Sequence, residues 1–157
     1  MELGKLSITV PLSREISSDD VHRLIGVSKD YNVFEYINAL TAKDSFKSFK
    51  IAHFLGKNEK NNSFLMILNN LFSHFSKAMI YQSLKSKDPQ TAMRALGLRS
   101  PFAVKSIAAT STRFTQRKVA EVIRLIRDYD ARFKGVNAGY SESSAELLKE
   151  LTYKILN

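Results

Sequence analysis

The longest unbroken apolar rhythm in the chain runs from Ser63 to Lys87, a stretch without proline or glycine. Leu65, Leu68, Phe72, Phe75 and Met79 recur there in a heptad-like seam, and Phe64, Ile67, Leu71 and Ala78 widen the seam into a broad stripe. A helix apolar over so wide an arc packs on more than one side, which predicts the most buried, central helix of a bundle. A second long stripe follows. Val119, Val122, Ile123, Ile126, Tyr129 and Phe133 share one helical face, with Arg117, Glu121, Arg124 and Asp128 opposite. The spacing on this opposite face predicts i,i+4 ion pairs Arg117–Glu121 and Arg124–Asp128. Shorter stripes predict further helices. Asn32 opens one with Val33, Phe34, Ile37 and Leu40 inward, and Asp44 or Ser45 opens another that buries Phe46, Phe49, Ala52 and Leu55. A last helix from about Ser143 turns Leu147, Leu148, Leu151 and Ile155 inward.

Between the stripes stand residues that start and stop helices. Asp88-Pro89 begins a short helix, and Gly97 can end it in the left-handed conformation that glycine adopts without steric cost. Ser100 then caps the next helix with Pro101 at its first position, where a missing N–H costs nothing, and Thr115 caps the one after. Near the start, Ser17 or Ser18 caps a helix with Val21, Leu24 and Ile25 inward and Gly26 as its stop. The opening Met1–Leu12 reads as the tail of a preceding element, and only Leu6–Val10 hints at a β alternation. The fold class expected is all-α, a bundle of about seven or eight helices.

Composition narrows the chemistry. With 157 residues, 44% of them hydrophobic, the chain can bury a core of its own. The absence of cysteine excludes disulfides, thiolate metal sites and cysteine nucleophiles. No apolar run reaches the roughly 18 residues of a membrane helix and no signal-peptide core is present, so a cytoplasmic location without membrane contact is expected. The net charge of +9 is segregated, with balances of +1 over residues 1–76, +9 over 77–127 and −1 over 128–157. A basic zone of this kind attracts nucleic acid or an acidic protein, or is simply a solvated surface.

No catalytic constellation emerges. His22, His53 and His74 fall on separate predicted helices without a metal-spaced partner, and no glycine-rich phosphate loop is present. No cofactor is expected. The stretch Ala92–Phe133 can be read as a helix-turn-helix, with Arg113, Arg117, Lys118 and Arg124 as weak phosphate or partner contacts. Against that, Glu121 and Asp128 lie on the exposed face of the helix that would read DNA.

The order of motifs resembles the C-terminal half of the delta subunit of the bacterial DNA polymerase III clamp loader. The resemblance begins in Ile16–Asp44, where an acidic-capped helix with a glycine stop is followed by the Asn32-Val33-Phe34-Glu35 helix start. It continues through Ala95–Ile107 (ALGLRSPFAVKSI), then Leu125, Asp130 and Lys134-Gly135, and ends in Glu146–Leu156. It implies that residues 1–27 are the tail of a small helical lid domain and 28–157 a helical collar. It also implies a non-catalytic subunit that helps load the sliding clamp during DNA replication. Its partners would be the other loader subunits, with the sliding clamp reached only through an N-terminal domain that this chain lacks, and with DNA contacted weakly or indirectly. The alternative is a stand-alone basic helical nucleic-acid-binding domain.

Overall fold

A computed structural model describes residues 31–59, 63–136 and 143–157. The helix expected around Val21–Ile25, its Gly26 stop and the expected lid tail 1–27 lie outside the described residues. Among the described residues there are seven helices and no strand, as the apolar periodicity predicts. They are α1 (Val33–Ala42), α2 (Ser45–Lys57), α3 (Phe64–Ser83), α4 (Pro89–Leu96), α5 (Pro101–Arg113), α6 (Gln116–Phe133) and α7 (Ser144–Leu156).

Local chemistry sets the ends of these helices. Asn32, Asp44, Ser63, Asp88, Ser100, Thr115 and Ser143 each turn a side-chain oxygen onto a first-turn N–H that has no partner within the helix. At α7 the cap is reciprocal, because Glu146 also accepts from the Ser143 backbone. Gly97 ends α4 at φ 61°. Lys43 ends α1 in the same left-handed region, at φ 55°, without the glycine that would have announced the stop.

The helices enclose two apolar clusters. The larger is built from α1, α2, α3, α6 and α7, and the smaller from the end of α3 with α4 and α5. Helix α3 belongs to both, with Phe64–Phe75 in the first and Ala78 and Tyr81 in the second. Phe114, between α5 and α6, is drawn into the larger cluster and meets Phe75 edge-on at 5.5 Å between ring centres. Gln82 of α3 donates to the carbonyls of Ser111 and Phe114, so α3 also satisfies the open end of α5.

Several expected positions are corrected. Helix α3 stops at Ser83, not Lys87, where Leu84 turns extended. It joins the two clusters but is not the most buried helix, since seven of its twenty residues are buried against six of ten in α1 and six of thirteen in α7. Its buried line is Phe64, Ile67, Leu68, Leu71, Phe75 and Ala78, while Phe72 is 49% exposed. At 100° per residue Phe72 lies to one side of that line, about 100° round the helix from Leu71. Phe46 points outward for a similar reason, because α2 turns Ser48, Ile51, Ala52, Leu55 and Gly56 inward. In α1, Tyr36 takes the buried place expected for Phe34. The inward sets of α6 and α7 are as expected, except that Phe133 remains part-exposed against Phe64.

The tightest packing lies between α2 and α7. A Cβ on Gly56 would stand 2.5 Å from the Ala145 Cα, so only a glycine allows the two backbones to approach this closely. Gly56→Ala is therefore expected to cost about 1–3 kcal/mol, as overpacking does. Phe75→Ala should cost about 3–5 kcal/mol, the scale of a buried phenylalanine, and Phe72→Ala less than about 1 kcal/mol. Urea unfolding of the three variants checks the order; equal losses at Phe72 and Phe75 would contradict the packing of α3.

Candidate functional site

Helices α1, α3 and α5, with the turn before α5, enclose a cleft of about 450 Å³. Ile37 and Ile107 line it together with His74, Asn70 and Lys77 of α3, and Leu98 closes one side. Phe34 and Phe102 stand at its mouth, 68% and 79% exposed. Such exposure of two phenylalanines beside one opening is unfavourable in water and marks the cleft as a candidate binding surface. Phe34 sits two turns before Thr41 on one side of α1; Thr110 of α5 covers Thr41, whereas at Phe34 the same side of α1 borders the open cleft.

A hydrogen-bonded chain runs behind the cleft. Thr110 Oγ1 on α5 lies 2.7 Å from His74 Nε2 on α3 and 2.8 Å from Thr41 Oγ1 on α1. It also donates to the Ser106 carbonyl at 3.2 Å. A hydroxyl has one proton, so Thr110 must accept from both His74 and Thr41, and His74 therefore carries its proton on Nε2. Arg113 extends the chain by donating to the Thr41 carbonyl at 3.2 Å. Burial disfavours the charged imidazole and Lys77 adds to the effect, so His74 titrates at about 4, below its ordinary 6.5.

The four cations singled out in the sequence do not form one site. Arg113 is tied to the end of α1 as described. Lys118 joins α6 to α7, donating to Glu121 at 3.1 Å and to the Lys154 carbonyl at 3.0 Å. Arg117 and Arg124 remain exposed on the outer face of α6. The expected i,i+4 pairs are not formed: Glu121 is paired with Lys118, and Asp128 with its neighbour Arg127 at 3.3 Å. Lys118 reaches Glu121 because it is itself half-buried beside α7, whereas Arg117 projects away.

The cleft was not legible as a site in the sequence. Phe34 reads there as part of an inward stripe, and Phe102 as one residue of a helix start. The available signal was the position of Phe34 at the edge of its stripe. His53 is exposed, His22 lies outside the described residues, and no cluster able to hold a metal occurs among the described residues. Also among them, no helix is long and apolar enough to cross a membrane.

The low pKa of His74 makes stability depend on pH with a definite sign. Folding favours the neutral ring, so its contribution is complete above about 6.5 and is lost as the pH falls towards about 4. The expected loss from this group is about 2 kcal/mol between pH 7 and pH 5. Urea unfolding at the two pH values checks it against His74→Gln, which keeps a polar side chain that cannot titrate. The two proteins should differ in slope over this window, and equal slopes would show that His74 is not held neutral.

No family model, curated protein or solved structure matches this chain.

Proposed function

We propose that the chain is the C-terminal collar region of the delta subunit of a bacterial DNA polymerase III clamp loader, a cytoplasmic assembly module that supports loading of the sliding clamp. One observation carries this reading. The Asn32–Glu35 helix start and the Ala95–Ile107 run, two of the stretches on which the resemblance rests, lie far apart in sequence but converge on one cleft. Each leaves its phenylalanine, Phe34 or Phe102, exposed there. Residues that only stabilised the fold would be buried; two exposed phenylalanines at one opening suit contact with another protein. In this role the chain itself performs no catalysis and meets its partners through helix surfaces. The sliding clamp is engaged by a separate N-terminal domain, and DNA is contacted weakly.

A second reading, a basic nucleic-acid module, is favoured by the outer face of α6. Arg117, Arg124 and Arg127 are exposed there, beside the acids Glu121 and Asp128. Such a face binds phosphates through counterion release, with an affinity that falls steeply with salt.

Mixing the chain with the other subunits of a bacterial clamp loader at two salt concentrations, beside a titration with double-stranded DNA, separates the two. A salt-tolerant complex with the subunits is expected, with DNA affinity no tighter than about 10⁻⁴–10⁻⁶ M. Arg117→Glu with Arg124→Glu should leave the fold and the protein complex intact and remove the residual DNA binding. Submicromolar DNA binding at physiological salt without a protein complex would establish the nucleic-acid reading in its place.

A further inference from the structure

Helix α3 carries one formal charge, Lys77, in twenty residues, although part of its circumference faces water. Met66, Asn69, Ser73 and Ile80 recur at helical spacing as an exposed, uncharged stripe, with Met66 and Ile80 38% and 44% exposed. A solvated helix face usually carries charged residues, as the outer face of α6 does here. The stripe runs into the cleft, because Ser73 belongs to both. The cleft lining contains no carboxylate. Lys77 lines it, and the Lys105 ammonium stands 5.6 Å from the centre of the Phe102 ring. Neither cation has a carboxylate partner among the described residues.

Granted that the chain is an assembly module, on which this inference rests, we infer that the α3 stripe and the cleft together receive an amphipathic helix of a partner protein whose apolar face is flanked by Asp or Glu. The apolar face seats between Phe34 and Phe102 and along Met66–Ile80, and the acidic flank faces Lys77 and Lys105. A helix satisfies its own backbone hydrogen bonds, so it can lie on a surface that offers few free polar groups. Two of the polar side chains at the cleft are already engaged: Asn70 donates to the Met66 carbonyl, and Ser73 accepts from Lys77. A second copy of this chain is a poor occupant. It would bring the same cationic rim and a net charge of +9 against its own kind.

The test uses the full chain with the other loader subunits. Phe34→Ala with Phe102→Ala changes only exposed side chains, so circular dichroism and melting should be unaltered. The affinity for the subunits should fall about thirtyfold or more, the scale of a lost aromatic hot spot. Lys77→Glu with Lys105→Glu should weaken it as well, chiefly through slower association. A photo-crosslinking residue placed at Ser73 should capture a helical segment containing Asp or Glu, and the same residue at Ala120 on α6 should capture none. If the wild-type complex forms but the phenylalanine variant binds equally and crosslinks arise only from position 120, the surface assignment is wrong and the assembly reading stands. If the wild-type chain binds no loader subunit, both fall. If the chain dimerises alone and the phenylalanine variant is monomeric, the occupant is a second copy and the inference is overturned.

Discussion

Thr110 is wholly buried where α1, α3 and α5 meet, and its single hydroxyl has to satisfy three neighbours at once. An unpaired polar group at that depth would cost several kcal/mol, so the three helices can pack together only in the arrangement that completes the chain from His74 through Thr110 to Thr41. Arg113 then secures the end of α1 from the same helix that carries Thr110. Apolar contacts alone tolerate sliding, whereas hydrogen bonds fix distance and direction. The mouth of the cleft, with Phe34 on α1 and Phe102 on α5, is therefore held in place by a polar junction behind it.

That junction lies between two apolar clusters that share α3. The larger is closed by the glycine-permitted approach of α2 and α7 and by Tyr36, whose hydroxyl donates to Thr152, since Thr152 gives its own proton to the Leu148 carbonyl. The smaller depends on α4 and α5 lying against the last turns of α3. A helix committed to both clusters has little freedom to shift, and its outer face is presented rigidly. Rigid apolar surface loses little entropy on binding.

Charge is distributed by helix. The outer face of α6 is cationic, while α3 carries a single lysine. These two surfaces suit different partners, one a polyanion through long-range attraction and the other a protein through desolvated contact. On α6 one of the predicted cations, Lys118, is spent on the internal join to α7, which reduces what the face offers to phosphates.

Much of the architecture was legible from local chemistry. Helix caps act within one turn, so Asn32, Asp88, Gly97, Ser100, Thr115 and Ser143 announce boundaries that the structure reproduces. The inward faces of α6 and α7 were legible too, because their apolar residues are well separated from charged ones. Where aromatic residues are scattered around a helix, as in α1, α2 and α3, periodicity identifies the helix but not which ring is covered. Coverage depends on where neighbouring helices run and diverge. Phe34, Phe46, Phe72 and Phe102 are chemically equivalent to the buried Phe64 and Phe75, and only the tertiary structure separates them. The ion pairs and the Thr110 junction were hidden for the same reason, since they join residues that only folding brings together. The sequence by itself determined the helices and their ends through interactions within a turn or two. The tertiary structure alone decided which apolar side chains stayed in water, and so where the candidate site lies.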